Sequence, residues 1–137
     1  MTMLRVTRLI RATPARLFDA WTTPEQLMKW WGPRPVTCSR ATVDLRVGGE
    51  YLIGNRLPDG REVVISGVFE EIEAPHRLVY SWSMGTGEHS RVTVRFEPRG
   101  AATEVSIEHE RIPDEETRKG HEQGWFGCLD GLGALFA

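Results

Sequence analysis

The stretch DEETRKGHEQGWFGCLDGLGALF, residues 114–136, predicts one long helix. Asp114 can act as the N-cap, and Glu115 and Glu116 place acidic charge in the first turn, where the helix dipole favours it. At about 1.5 Å per residue such a helix is roughly 33 Å long, enough to cross a β-sheet. We therefore expect the other elements to be arranged around this helix.

The predicted helix has an apolar face and a separate stripe of glycines. The apolar face carries His121, Trp125, Leu129, Leu132 and Phe136. The stripe consists of Gly120, Gly124, Gly127 and Gly131, with Ala134. Each glycine inside a helix costs about 1 kcal/mol relative to alanine, so something must offset the stripe. Close packing of another element, open volume beside the helix, and contact with a partner protein are the three explanations.

Residues 35–111 have the punctuation of antiparallel β-structure. Short turns containing glycine or proline separate six candidate strands, which favours hairpins between neighbours. The strands are 36–46, 50–57, 62–73, 77–84, 89–97 and 102–111, and a strand over 4–12 makes about seven. The last two alternate most clearly, and one face would carry Val92, Val94, Phe96, Val105, Ile107 and His109. One covered and one polar face indicate a curved sheet wrapped around the C-terminal helix.

A first short helix is predicted directly after the N-terminal strand. Thr13 supplies an N-cap and Pro14 suits the first helical position. Leu17, Phe18 and Trp21 then fall on one face of the helix. We expect that face to be buried.

A second short helix is predicted in the stretch PEQLMKWWGP, residues 24–33. Thr23 and Gln26 have the spacing of a capping box, in which each side chain bonds the other residue's backbone amide. Gly32 can adopt the left-handed conformation that ends a helix, and the following proline prevents its continuation. Trp30 and Trp31 lie near one stripe, so either both rings fill the core or one of them lines the mouth of a cavity.

The composition excludes several classes of protein. The 137 residues are 40% hydrophobic and 26% charged, with a net charge of −2, which is typical of one globular domain spanning residues 1–137. No basic run indicates a nucleic-acid or anionic-membrane partner, and no apolar run reaches the ~18 residues of a membrane span. The N-terminus lacks a signal-peptide pattern, so we expect a cytoplasmic protein. Cys38 and Cys128 have no metal-site spacing, and two buried thiols suit that compartment better than a disulfide.

Seven short motifs follow one another along nearly the whole chain. They are IRATP (10–14), FDAW (18–21), WWGP (30–33), DLRVGGEY (44–51), GVFEEIEAP (67–75), LVYSW (78–82) and HEQGW (121–125). No single motif is diagnostic, but their order and spacing together are specific. With them the sequence resembles the bacterial proteins similar to the C-terminal domain of the heat-shock-protein-90 ATPase activator. Those proteins belong to the START/birch-pollen-allergen (SRPBCC) superfamily.

The resemblance implies an α+β helix-grip fold. In that fold a curved antiparallel sheet of about seven strands, in the order β-α-α-β6-α, wraps around a long C-terminal helix. The resemblance also implies a mostly apolar cavity between sheet and helix. Superfamily ligands are lipids, sterols, polyketides and other hydrophobic molecules, so a small hydrophobic ligand is the expected partner. No single reaction and no cofactor follow from it, and a homodimer or a protein partner is left open.

The sequence lacks the standard catalytic and metal-binding signatures. It contains no GxSxG motif, no GxxxxGK[ST] phosphate loop and no GxGxxG after a strand. His121 begins an HExxH-like pattern, but Trp125 stands in place of the second histidine. In Glu108-His109-Glu110 the glutamates point away from the histidine if the segment is a strand. We therefore predict no metal site.

His109 and His121 are the candidate catalytic residues. His109 continues the covered face of its strand, where a neutral imidazole needs a hydrogen-bond partner. His121 is expected to face the same space. Either histidine can bind a ligand oxygen or act as acid or base, and the alternative is a structural role.

The side chains expected to line a ligand cavity come from the second helix, the sheet and the C-terminal helix. They are Trp31, Tyr51, Ile53, Phe69, Tyr80, Trp82, Val94, His109, His121, Trp125 and Leu129. Three functions are compatible with them: a binding protein for a small hydrophobic or aromatic molecule, a cyclase- or hydrolase-type enzyme using a cavity histidine, and a protein-interaction module resembling a co-chaperone domain. The missing catalytic signatures favour the binding protein.

Overall fold

A computed structural model describes residues 1–85 and 87–137. The strands are β1 (Thr2–Ile10), β2 (Thr37–Val43), β3 (Glu50–Arg56), β4 (Glu62–Glu73), β5 (Arg77–Trp82), β6 (Ser90–Arg99) and β7 (Ala102–Ile112). The helices are α1 (Pro14–Thr22), α2 (Pro24–Trp30) and α3 (Glu115–Leu135). Every predicted element is present, in the predicted order.

The seven strands form one antiparallel sheet in the order β1-β7-β6-β5-β4-β3-β2. Strands β2 to β7 pair as successive neighbours, whereas β1 joins the far edge by pairing with β7, with Leu4 opposite His109 and Ile10 opposite Thr103. Register shifts in β2 and β4 mark bulges, which bend strands and help to curve the sheet. Helix α3 packs against β1, β7 and α2 on the covered side. The predicted α+β helix-grip fold is confirmed.

The two faces of β6 and β7 have the polarity that the alternating residues predict. The side chains on the covered face are fully buried, and they are Val92, Val94, Phe96, Val105, Ile107 and His109. On the outer face Arg91 pairs with Glu70 and Glu110, and Arg95 pairs with Glu108. Such partly exposed pairs each contribute at most about 1 kcal/mol, so burial on the inner face dominates the stability of these strands.

The predicted capping box at the start of α2 is wrong. Thr23 makes no side-chain cap, and its hydroxyl donates instead to Asp19 Oδ1 at 3.1 Å. Gln26 Nε2 donates to the other oxygen of the same carboxylate at 2.8 Å. Helix α1 ends immediately before Thr23, so the Asp19 carboxylate lies within reach of both side chains. A carboxylate binds donors more strongly than a neutral acceptor does. The predicted helix end is correct, because Gly32 has a φ of 112°.

The glycine stripe of α3 has two different explanations along its length. A Cβ built on Gly127 or Gly131 would overlap atoms of the segment 30–33, so close packing explains these two glycines. Nothing lies within 4 Å of a Cβ built on Gly120 or Gly124, so open volume explains the other two. The empty space therefore lies beside the N-terminal half of α3.

Two further features bear on the sequence-based predictions. Cys38 and Cys128 are buried free thiols, as expected. Among the described residues, no helix combines the length and the apolar character needed to cross a bilayer.

Candidate functional site

The five tryptophans form one connected cluster inside the grip. Trp21 packs on Trp30 at a centroid distance of 4.9 Å, and Trp30 packs on Trp31 at 5.4 Å. Trp125 extends the cluster to Trp31 at 5.4 Å and to Trp82 at 5.3 Å. All five rings are buried. The cluster therefore connects α1, α2, α3 and β5 around one end of the sheet.

The adjacent tryptophans at the end of α2 are each fixed by one hydrogen bond. Trp30 Nε1 donates to the carbonyl of Ala20 at 2.9 Å, which holds α2 against α1. Trp31 Nε1 donates to Asn55 Oδ1 at 2.9 Å, and Asn55 Nδ2 donates to the carbonyl of Val63 at 3.1 Å. Both rings belong to the core, and Trp31 also lines a cavity.

That cavity has a volume of about 200 Å³ and lies between the end of α2, strands β3 to β5 and the N-terminal half of α3. An engineered apolar cavity of about 150 Å³ accepts benzene, whereas drug-sized ligands occupy about 300–1,000 Å³. The volume therefore suits a molecule with one substituted ring.

Four of the eleven residues expected to line a cavity do so. They are Trp31, Trp82, His121 and Trp125. The other seven are buried beside this cavity and, in the described chain, are not part of its wall: Tyr51, Ile53, Phe69, Tyr80, Val94, His109 and Leu129. Large side chains fill the middle of the grip, where Tyr80 accepts a hydrogen bond from Trp21 and Tyr51 donates to the carbonyl of Ser81. The cavity lies at one end of the grip.

Several wall residues were missed by sequence reasoning. They include Val36, Asn55, Leu57, Val63, Met84 and Gly124. Most lie at strand ends or in connecting segments, where alternation gives no face. Gly124 carried a usable signal, because open volume was one of the explanations for the glycine stripe.

Glu88 was also not singled out by sequence reasoning, and it is the centre of a buried polar network. Its side chain is 5% exposed and accepts a hydrogen bond from Ser90 Oγ at 2.5 Å. His121 Nε2 lies 3.0 and 3.1 Å from its two carboxylate oxygens. His109 joins through Ser90 Oγ at 2.8 Å, and its ring stacks on that of His121 at 4.7 Å. The two candidate histidines therefore occupy one site, together with a carboxylate.

Trp125 determines the direction of the hydrogen bonds in this network. Its Nε1 can only donate, and it donates to His109 Nδ1 at 3.1 Å. The proton of His109 is therefore on Nε2, from which it is donated to Ser90 Oγ, and the Ser90 hydroxyl in turn donates to Glu88. Burial, with a smaller contribution from His121, lowers the pKa of His109 to about 3, so this imidazole is neutral near pH 7. His109 is a fixed structural link in the network.

Glu88, His109 and His121 also bring three possible metal-ligand atoms within 4.8 Å of one another. Ligation through His109 Nε2 would require moving its proton to Nδ1, where it would oppose the N–H of Trp125 at 3.1 Å. Without His109 only two ligands remain, fewer than the three that a catalytic zinc site uses. The arrangement therefore suits a hydrogen-bond network better than a metal centre.

Comparison with known proteins agrees with this architecture. Residues 11–137 match the family model for the "Activator of Hsp90 ATPase homolog 1-like protein", AHSA1. A comparison with curated protein sequences gives no match.

Solved structures of bacterial proteins are similar over almost the whole chain. One from Chromobacterium violaceum is 27% identical with a TM-score of 0.90, over 99% of this chain and 98% of its own. An AHSA1 protein from Silicibacter pomeroyi is 25% identical with a TM-score of 0.87, over 97% and 96%. One from Rhodobacter sphaeroides is 25% identical with a TM-score of 0.86, over 98% and 91%. The chain therefore belongs to the AHSA1 family, within the SRPBCC superfamily of helix-grip proteins.

Proposed function

We propose that this protein binds a small, mostly apolar molecule, about the size of one substituted aromatic ring, in the 200 Å³ cavity at the end of the grip. The observation that carries the proposal is the wall of this cavity. Three tryptophan rings, Trp31, Trp82 and Trp125, surround a volume that the surrounding side chains leave open. A wall of this kind stabilises an aromatic guest through burial and ring packing.

Two other features support binding in preference to a purely structural gap. The open volume coincides with Gly120 and Gly124, which cost helix stability without gaining a packing contact in return. Membership of the AHSA1 family also supports a ligand-binding domain, because the helix-grip fold encloses its ligands between sheet and helix. The cavity lies at that position.

A titration with toluene, followed through the indole N–H signals of the tryptophans by NMR, tests the proposal. Toluene matches the expected size, and the signals of Trp31, Trp82 and Trp125 should shift most strongly because these rings line the cavity. An absence of saturable shifts at these three signals would contradict the proposal.

A plug variant and a matched control locate the binding. Gly124→Leu adds an isobutyl group at a wall position where nothing lies within 4 Å of a new Cβ, and leucine is a good helix former. The plug should abolish the toluene shifts while the fold remains intact. Gln123→Leu replaces an exposed side chain at the neighbouring position with the same isobutyl group and should leave binding unchanged. Equal binding by both variants would place toluene somewhere else.

A further inference from the structure

The wall of the cavity carries one polar position that is backed by a buried carboxylate. His121 contributes an imidazole ring to the wall of the cavity, and its side chain is 11% exposed. Glu88 lies directly behind it and is not part of the wall. A ligand in the cavity would therefore meet the imidazole, with the carboxylate hydrogen-bonded to its other side.

The hydrogen bond to Glu88 determines what His121 offers to a ligand. A carboxylate accepts hydrogen bonds, and Glu88 accepts one from the Ser90 hydroxyl and contacts His121 Nε2, so the proton of the imidazole lies on Nε2. In the neutral imidazole that leaves a lone pair on Nδ1. Nδ1 of His121 makes no hydrogen bond with the described residues. It is not fully buried, whereas Trp82 Nε1 is. His121 therefore presents an acceptor atom, Nδ1, on the side of its ring away from Glu88.

The charge around the cavity favours a neutral donor over an anion. Among the described wall residues there is no arginine or lysine. An anionic ligand would have to leave its charge unpaired in this mostly apolar wall, which is costly. A neutral hydroxyl can donate to Nδ1 without adding charge.

Trp82 packs beside His121 in the wall, but its buried Nε1 offers a ligand no second hydrogen bond. Trp82 lines the cavity, is 5% exposed, and its Nε1 is buried without a partner in the described chain. Its ring lies edge-on to that of His121 at a centroid distance of 5.6 Å. A hydroxyl group in the cavity therefore has His121 Nδ1 as its partner, to which it can donate a hydrogen bond. A methyl group of the same size has no such hydrogen bond to donate.

From these contacts we infer that the ligand is a neutral aromatic hydroxyl compound, phenol-like in size, whose hydroxyl donates to Nδ1 of His121. Glu88 is the positioning residue that keeps the proton of His121 on Nε2. This inference rests on the proposed function, because it names the chemical class of the molecule bound in the same cavity. It assigns specificity to the pair formed by Glu88 and His121.

The test compares phenol with toluene, which differ by a hydroxyl against a methyl group. Dissociation constants for both come from the NMR titration, with wild type, His121→Leu, Glu88→Gln and the control His76→Gln, which changes an exposed turn histidine. His121→Leu should weaken phenol about tenfold or more while toluene changes less than about threefold, since the hydroxyl loses its hydrogen bond and is buried without a partner. Glu88→Gln should weaken phenol in the same direction, and the control should change neither ligand.

Toluene binding also reports whether each variant keeps a folded cavity. If phenol and toluene respond equally to both substitutions in variants that still bind toluene, the inferred role of His121 and Glu88 is overturned. Tighter binding of benzylamine than of phenol by wild type would overturn the choice of a neutral hydroxyl. If wild type binds neither toluene nor phenol, the proposed function itself fails, and the inference fails with it.

Discussion

Two glycine-to-alanine substitutions three residues apart on α3 should change stability in opposite directions. Gly124 faces open volume, and nothing lies within 4 Å of a Cβ built there. Gly127 faces the segment that follows α2, where a new Cβ would overlap Pro33 Cβ and lie 2.6 Å from Pro33 Cα. Both variants gain the same intrinsic helix preference, so the difference between their free energies of unfolding measures the cost of overpacking at Gly127.

The structure gives the size of the two effects. Alanine gains about 1 kcal/mol over glycine inside a helix, so Gly124→Ala should raise the free energy of unfolding by about that amount. For a chain of this size 1 kcal/mol corresponds to roughly 3 °C in Tm. At Gly127 the same gain is opposed by overpacking against a proline ring and backbone, which cost up to about 3 kcal/mol. We therefore expect Gly127→Ala to lose about 2 kcal/mol, or roughly 6 °C.

Urea and thermal unfolding at pH 7, followed by circular dichroism, measure both quantities. Gly133→Ala is a suitable control, because its new Cβ meets only the end of Arg8 at an ordinary contact distance of 3.5 Å. It should resemble Gly124→Ala. Stabilisation by Gly127→Ala, or destabilisation by Gly124→Ala, would refute the division of the glycine stripe into a packed half and an open half.

Three further predictions concern buried polar and titratable groups. Asn55→Ala should cost about 2–4 kcal/mol in urea unfolding because it removes the partner of Trp31 Nε1 and a donor to the partly buried carbonyl of Val63, and a loss below about 1 kcal/mol would contradict this account. His109 has a pKa of about 6.5 in the unfolded chain and of about 3 in the folded protein. The unfolded chain therefore binds a proton that the folded protein does not bind, and the free energy of unfolding falls as the pH falls from 6.5 towards 3. Wild type should therefore lose about 3 kcal/mol more than His109→Gln between pH 7 and pH 4, and equal pH slopes would refute the neutral assignment. Burial raises the pKa of the Cys128 thiol to about 12 and also raises that of Cys38, so both should resist a thiol reagent until denaturant is added, and rapid labelling of the native protein would show that they are accessible.

The fold was predictable because its signals are local. Glycine and proline turns separate the strands, and the alternation in β6 and β7 shows which side of the sheet is covered. The capping-box prediction failed because both side chains donate to Asp19 on the preceding helix instead of accepting from the backbone. A four-residue motif does not show which residues of a neighbouring helix lie close in space.

The candidate site was only partly predictable. Strand alternation placed His109 on the covered face, and helical spacing placed His121 on the apolar face of α3. Glu88 was missed because it lies after a glycine turn, where no periodicity indicates the direction of a side chain. The position of the cavity was missed because a cavity is the volume left over after large side chains have packed, and that depends on all of them together.

The pairing of β1 with β7 has a consequence for the biosynthesis of the protein. Residues 2–10 leave the ribosome well before their partner strand, 102–112, and before α3, which covers them and whose Asp130 pairs with Arg8. Contacts of such large sequence separation form slowly and only after nearly the whole chain has been made. Until then β1 is a free strand with Leu4, Val6 and Ile10 exposed. The nascent chain, rather than the finished protein, is thus the stage at which aggregation and chaperone capture are most expected.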